Sequence, residues 1–194
     1  MKLYYSPGAC SLADHIALHE AGLAFEHERV DLKTKRTEHG ADFTAVNPKG
    51  YVPALTLDDG ETLTENAAVL DWIADQSASL RPAGPLARTR QLEALAFISS
   101  ELHKAFAPLF RGTTDAEKDA AREAVAGKLR LAQQLFRGEY LLGDRIGVAD
   151  FYLFVMLLWA ERHGIATPAP LAAYRDRLKA RDSVRKAMTH EGLS

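Results

Sequence analysis

The sequence predicts a two-domain chain, with an α/β domain over residues 1–76, a linker over 77–85 and an all-helical domain over 86–194. Three observations lead to this prediction. Strand and helix patterns alternate as far as residue 76, Ser, Pro and Gly then interrupt both patterns, and only helical periodicity follows. The 194 residues, 47% of them hydrophobic, are enough to bury a core in two small domains.

The elements of the first domain alternate in kind, and two of their boundaries carry strong signals. Gly22 ends the first helix, because glycine adopts the left-handed C-terminal conformation without strain. Asp59-Gly60 predicts a tight hairpin between two strands. The predicted elements are a strand at 2–5, a helix at 11–21, a strand at 25–32, a helix at 39–46, strands at 53–57 and 61–64, and a helix at 65–76.

This β-α-β-α-β-β-α order predicts a four-stranded mixed sheet with helices on both faces, which is the thioredoxin-like arrangement. In the second domain, Thr114 and Glu117 match a capping box ahead of a helix at 116–136. The apolar run Phe151–Ala160 is shorter than the ~20 residues that span a bilayer, so it predicts a buried helix at 149–162. At the start of that helix, the Asp150 side chain is placed to accept a hydrogen bond from the Gly147 N–H. Helices are also predicted at 86–110, 171–181 and 183–190.

Composition excludes several classes of protein. The net charge is −2, from 24 basic and 26 acidic residues, so we expect neither a nucleic-acid partner nor a membrane partner. Cys10 is the only cysteine, which excludes a disulfide framework. The N-terminal residues show no apolar signal region, so a cytoplasmic protein is expected. Neither H-E-x-x-H nor paired C-x-x-C spacing occurs, and no metal site is expected.

Cys10 is the first candidate for chemistry, because it lies between the first predicted strand and the first predicted helix. Free N–H groups and the helix dipole favour an anion there, so a lowered thiol pKa is expected. The segment Cys10-Ser11-Leu12-Ala13 lacks the second cysteine of a C-x-x-C motif, which leaves mixed-disulfide chemistry or stabilisation of another thiolate. A buried structural cysteine is an equally weighted alternative.

Two further segments of the first domain suit a peptide ligand. If the Val52-Pro53 bond is cis, the Val52 backbone is exposed to an extended ligand; an ordinary trans turn is the alternative. Thr64-Glu65-Asn66 opens a predicted helix, whose free N–H groups bind carboxylates, while Glu65 can hold an ammonium group. Simple helix capping is the more common role of such residues.

His103 lies on the apolar stripe of the predicted helix 86–110, and Ser100 lies on the adjoining part of that face. A histidine in such a place is more often a satisfied core residue than a catalytic one. A cleft between the two domains would favour the catalytic alternative.

Five segments together resemble the beta class of bacterial glutathione transferases, across essentially the whole chain. They are residues 1–11, 47–55, 63–65, 101–104 and 148–150, which read MKLYYSPGACS, NPKGYVPAL, LTE, ELHK and VAD. The resemblance implies a thioredoxin-like domain that holds glutathione, a helical domain that supplies part of the second-substrate site, and a homodimer.

The resemblance also implies roles for individual residues. Cys10 is expected against the glutathione sulfur, Val52 is expected to pair through its backbone with the cysteinyl unit, and Lys35 is expected near the glycyl carboxylate. Glu65 and Asn66 are expected to hold the γ-glutamyl head. The expected catalytic residues are Cys10, Ser11 and His103; the expected glutathione-binding residues are Cys10, Lys35, Tyr51, Val52, Pro53, Glu65, Asn66, Ser100, His103 and Lys104.

The function predicted from these residues is conjugation of the glutathione thiolate to small hydrophobic electrophiles, with glutathione as co-substrate. Two alternatives stay open. One is a glutathione-dependent thiol–disulfide reductase, dehalogenase or isomerase on the same scaffold. Cys10 is the feature that indicates the reductase. The other is a non-catalytic binder of glutathione or hydrophobic ligands. Two departures from the family pattern leave room for it: Asn66 stands where a serine is common, and Ala96 stands where asparagine is often found.

Overall fold

A computed structural model of the chain describes residues 1–111 and 114–193. The first part is a five-stranded mixed sheet in the order β3-β2-β1-β4-β5, in which β1 runs parallel to β2 and the other neighbours are antiparallel. Its strands are β1 Lys2–Tyr5, β2 Glu26–Asp31, β3 Arg36–Thr37, β4 Ala54–Thr56 and β5 Thr62–Thr64. Helices α1 Leu12–Ala21 and α2 Asn66–Gln76 complete this thioredoxin-like arrangement, as predicted.

The register explains why these short strands hold together. Leu3 of β1 stands opposite Leu55 of β4, and both side chains are fully buried. Gly22 ends α1 in the left-handed conformation, with φ 68°, which confirms the predicted helix stop. The conformations at Gly22 and Gly60, whose φ is 92° in the hairpin, are ones that residues with a Cβ rarely adopt.

The predicted helix at 39–46 is wrong. The chain forms the edge strand β3 and then a single 3₁₀ turn, Phe43–Ala45, so the sheet has five strands rather than four. Gly40 has φ 84°, which no right-handed helix accommodates, and the Asp42 carboxylate accepts a hydrogen bond from the Thr44 N–H at 2.9 Å. Burial of Phe43 then fixes the turn against the sheet.

In the described residues, the helical part consists of six helices and one wider turn. The predicted helix 86–110 is interrupted by a π-helical turn over Ile98–His103, and Pro108 lies in the first turn of the next helix, where its missing N–H is not needed. Among the described residues the elements are α3 Ala87–Phe97, α4 Ala107–Phe110, α5 Asp115–Gln134, α6 Val148–Arg162, α7 Ala169–Lys179 and α8 Asp182–His190.

Two helix starts follow the sequence prediction closely. Thr114 and Glu117 form the predicted capping box of α5, with the Thr114 hydroxyl accepting from the Glu117 N–H at 3.3 Å. Asp150, in the first turn of the apolar helix α6, accepts from the N–H groups of Gly147 at 2.8 Å and Leu141 at 2.9 Å. Burial raises the pKa of Asp150 to about 6.

Contacts divide the chain into two units. Met1–Arg81 and the segment from Arg181 onward form the first unit, and Pro82–Ala180 form the second. The closing helix α8 packs on α1, where the Glu20 carboxylate accepts hydrogen bonds from Arg181 and Ser183, both at 2.5 Å. The predicted domain limits at 76 and 86 stay predictions. Within the described ranges, no helix has both the length and the apolar content to cross a bilayer.

Candidate active site

The loop after β1 carries Cys10 to the start of α1. Gly8 turns the chain with φ 68°, and the Ala9 N–H donates to the Ser6 carbonyl at 2.9 Å. The Ser11 side chain is fully buried, and its hydroxyl oxygen accepts from the Ser6 N–H at 3.3 Å. Ser11 therefore braces the loop that holds Cys10.

Three separate segments of the first unit meet at Cys10. The Cys10 thiol donates to the Val52 carbonyl at 3.6 Å, and the side-chain amide of Asn66 donates to the Cys10 carbonyl at 3.3 Å. The Val52–Pro53 peptide bond is cis, one of the two forms that the sequence left open. Val52 and Pro53 are both buried. The structure thus brings together four residues that the sequence placed in one site.

The expected lowering of the Cys10 pKa is wrong. Loss of hydration is the main cause that raises the pKa of the Cys10 thiol to about 12, and the nearby Asp14 carboxylate is the second. The backbone N–H groups of Cys10 and Ser11 act in the opposite direction, as expected at a helix start, but burial outweighs them. Cys10 therefore stays a protonated thiol, which donates a hydrogen bond and is a poor nucleophile.

Asp14 is a residue that sequence analysis missed. Its carboxyl group is fully buried in α1, and neither oxygen has a hydrogen-bond partner among the described residues. Burial raises its pKa well above the usual range. The available signal was one acidic residue between Leu12, Ala13, Ile16 and Ala17, all of them buried.

Glu65 stands at the entry to α2, with φ 71°, and its carboxylate is exposed. Lys49 forms an ion pair with Glu65 and also donates to the Thr64 hydroxyl at 2.8 Å. The Tyr51 hydroxyl donates to Glu65 at 3.2 Å. The Lys49 hydrogen bond is the main reason that the pKa of Glu65 lies below its usual value. Lys49 was missed as a site residue, because nothing in the sequence pairs charges 16 positions apart.

Asn66 offers an acceptor that is already dehydrated. Its side chain is 5% exposed, its amide nitrogen donates to Cys10, and its Oδ1 has no hydrogen-bond partner among the described residues. A buried acceptor of this kind is stabilised by any ligand that brings a donor to it.

Lys35 lies beside the segment that leads to Val52. It adopts φ 59°, and its Nζ donates to the Gly50 carbonyl at 2.6 Å. The buried Asn47 holds the same segment with two hydrogen bonds. Its backbone carbonyl accepts from the Gly50 N–H at 2.8 Å, and its Nδ2 donates to the Tyr51 carbonyl at 2.7 Å. The Lys35 Nζ thus lies at Gly50, two positions before Val52 in the chain.

The other predicted site residues lie in the second unit, on or next to the π-helical turn. His103 Nδ1 is 2.7 Å from the Tyr152 hydroxyl, and its ring meets Trp159 edge-on at 4.9 Å. Burial lowers the pKa of His103, so the neutral ring predominates at pH 7. Ser100 and Lys104 are exposed. Such turns occur frequently at functional sites of helical proteins.

Comparison with known proteins points to one family for both units. Residues 9–76 match the family model "Glutathione S-transferase, N-terminal domain", and residues 97–182 match "Glutathione S-transferase, C-terminal domain". The chain is 43% identical to glutathione S-transferase GstA of Escherichia coli O157:H7, over 100% of both chains.

Solved structures agree. A bacterial beta-class glutathione S-transferase of Sphingomonas chungbukensis matches with a TM-score of 0.93 and 51% identity, and covers 100% of both chains. A sphingomonad glutathione S-transferase complexed with glutathione matches with a TM-score of 0.93 and 49% identity, again over 100% of both chains.

Proposed function

Because the chain belongs to the glutathione S-transferase family, we propose that it conjugates the thiolate of glutathione to small hydrophobic electrophiles, and that its first unit holds the glutathione. The observation that carries the site is the convergence at Cys10. A thiol, the Val52 carbonyl and the unpartnered buried Asn66 Oδ1 come together beside the start of α2.

These groups fit the chemistry of glutathione. Its γ-glutamyl head carries an ammonium and a carboxylate, which suit the Glu65 carboxylate and the free N–H groups at the start of α2. Asn66 Oδ1 would accept from a ligand N–H, and the Val52 backbone would pair with the peptide part. Lys35 would attract the glycyl carboxylate, and Tyr51 would orient Glu65 through the bond it already makes.

Cys10 acts in this proposal as a hydrogen-bond donor. Glutathione supplies the nucleophilic sulfur, and a protonated Cys10 thiol can donate to that sulfur when it is anionic. The high pKa of Cys10 favours the transferase over the thiol–disulfide reductase, because a reductase needs the Cys10 thiolate as its nucleophile. Ser11, Ser100, His103 and Lys104 stay proposed site residues on the basis of the resemblance; Ser11 also braces the loop.

The test is a pair of measurements on the purified chain. Saturating glutathione should raise the melting temperature, and 1-chloro-2,4-dinitrobenzene should be conjugated. Glu65→Gln should weaken glutathione binding about 10–100-fold, since a charge-assisted hydrogen bond is lost. Glu61→Gln, an exposed glutamate in the preceding hairpin, is the matched control and should bind normally. No thermal shift and no conjugation would leave the proposal without support.

We also propose that the chain is a cytoplasmic homodimer, which rests on the family resemblance. Light scattering at micromolar concentration should give twice the mass of the chain. A monomer mass would contradict the proposal. The electrophile is best sought in a panel of halogenated, epoxide and unsaturated carbonyl compounds, which also separates the transferase from the dehalogenase and isomerase alternatives.

A further inference from the structure

Four of the seven histidines lie together in the first unit, outside the candidate active site. His15 and His19 stand one turn apart on α1, His27 lies on β2, and His190 is the last residue of α8. We call these four residues the histidine cluster. A spacing of four residues on a helix puts two imidazoles on one face, as in helical zinc-binding pairs.

Two pairs of ring nitrogens have the spacing of ligands to one ion. His15 Nε2 is 3.4 Å from His190 Nδ1, and His19 Nε2 is 3.4 Å from the same atom. These distances exceed the usual length of an N–H hydrogen bond. They match the edge of a tetrahedron with Zn–N bonds of about 2.0–2.1 Å, which is about 3.3–3.4 Å. One nitrogen from each of His15, His27 and His190 lies within 4.8 Å of the other two.

A second shell orients the buried member of the cluster. His15 Nδ1 is 3.0 Å from Glu191 Oε1, and both side chains are fully buried. That contact occupies Nδ1 and leaves Nε2 facing His190. With Glu191 ionised, the arrangement is the carboxylate–histidine pair that fixes tautomer and ring direction at metal sites.

Apolar rings enclose one side of the cluster, and solvent reaches the other. The ring centroid of Phe25 lies 5.5 Å from that of His15 and 5.0 Å from that of His19. The ring centroid of Tyr5 lies 5.4 Å from that of His15 and 5.7 Å from that of His27. His27 and His190 are exposed, so an ion has a path to the nitrogens.

We propose that the histidine cluster binds one Zn²⁺ ion, with His15, His27 and His190 as ligands and His19 beside them as the fourth imidazole. Three or four imidazoles suit zinc better than the oxygen-seeking cations magnesium or calcium. The ligands come from α1, β2 and α8, so the ion ties the closing helix of the chain to the sheet. No metal site was expected from the sequence, because these histidines do not form a motif with near spacing. His15 and His190 are 175 positions apart.

The experiment uses the full chain without a polyhistidine tag, first stripped with a chelator. Competition against a chromophoric zinc chelator should show one tightly bound equivalent. Zn²⁺ should raise the melting temperature, and Co²⁺ should give the intense visible absorption of a tetrahedral site. These readouts do not depend on glutathione or on transferase activity, so their failure is separate from failure of the proposed function.

Matched variants locate the ion. The double variant His27→Ala/His190→Ala removes two exposed ligands, and zinc affinity should fall at least 100-fold while the melting temperature without metal changes little. His39→Ala, which alters an exposed histidine outside the cluster, should bind zinc normally. Cys10→Ala should also bind normally, which excludes the thiol as the ligand.

Glu191→Gln tests the second shell and should weaken zinc binding about 10–100-fold. The proposal is overturned if the wild-type chain takes up no stoichiometric zinc, or if the double variant binds zinc as tightly as the wild type.

Discussion

Cys10, just before helix α1, and His15, in the first half of that helix, have pKa values that loss of hydration shifts in opposite directions. It raises the pKa of the Cys10 thiol to about 12 and lowers the pKa of His15 to about 3. Both groups are therefore uncharged at pH 7. A protonated thiol is a hydrogen-bond donor, whereas a neutral imidazole has one unprotonated nitrogen that can bind a metal ion. Loss of hydration thus suits substrate placement at Cys10 and metal ligation at His15.

One side chain, that of Glu191, contacts both the loop that carries Cys10 and His15. Glu191 accepts from the Gly8 N–H at 2.9 Å, in the loop that carries Cys10, and its other oxygen contacts His15 Nδ1 at 3.0 Å. Burial raises the pKa of Glu191 to about 8. The C-terminal segment therefore supports both the loop before α1 and the histidine cluster on α1.

The largest expected effect separates donor from nucleophile at Cys10. In Cys10→Ala, mixed-disulfide formation with glutathione should disappear, because the chain has no other thiol. Conjugation should fall by no more than about 10²–10³-fold, the loss seen when one well-placed donor is removed. Intact-protein mass after glutathione disulfide treatment and the conjugation rate measure the two effects. Conjugation at background level with glutathione still bound would make Cys10 essential to the transferase step.

Glu191→Ala should disturb both the loop that carries Cys10 and the surroundings of His15. It removes the carboxylate that contacts the Gly8 N–H and His15 Nδ1, and the loss of each such contact costs about 1–3 kcal/mol. We expect the free energy of unfolding in urea to fall by about 2–4 kcal/mol. Glu191→Gln keeps an acceptor for Gly8 and should restore part of that loss. If Glu191→Ala has the same free energy of unfolding as the wild type, Glu191 does not couple the Cys10 loop to His15.

Asp14→Ala should stabilise the fold by about 1–2 kcal/mol at pH 8, since it removes a buried carboxyl without a partner among the described residues. The folded pKa of Asp14 is raised, so the unfavourable contribution of this shift is absent below about pH 4 and grows as pH rises. The gain should therefore be smaller at pH 4, where only the cost of burying the neutral carboxyl remains. Urea unfolding at both pH values measures it, with Asp119→Ala on the exposed surface of α5 as control.

Asp14→Ala also tests the cause of the high Cys10 pKa. Asp14 is the second cause of the high Cys10 pKa, so Asp14→Ala should lower that pKa. In the wild type, the rate of alkylation by iodoacetamide should keep rising with pH beyond 10. In the variant the curve should shift to lower pH. Identical curves would assign the whole shift to loss of hydration.

Ser11→Ala has the smallest expected effect. Its hydroxyl accepts one backbone N–H from Ser6, a contact worth about 0.5–1.5 kcal/mol, and Cys10 remains in place. Conjugation should fall less than tenfold, and the melting temperature should drop by a few degrees. A loss of conjugation as large as that in Cys10→Ala would give Ser11 a direct role in stabilising the thiolate.

The sequence by itself determined the thioredoxin-like order of elements, the end of α1 at Gly22, the capping of α5 and α6, and the family. These features depend on short-range rules of periodicity, capping and left-handed glycine, which act within a few residues. The same rules failed at residues 39–46, where the Phe43 contact with the sheet and the Gly40 conformation outweighed a weak helical pattern.

Only the tertiary structure decided the electrostatics and the distant partners. The Lys49–Glu65 pair, the contact of Glu191 with Gly8 and the meeting of His15 with His190 join residues far apart in the chain, and no local pattern encodes them. The Cys10 pKa was predicted in the wrong direction for the same reason. A helix start lowers a thiol pKa locally, but hydration is lost through the packing of the whole unit, and that loss is the larger effect.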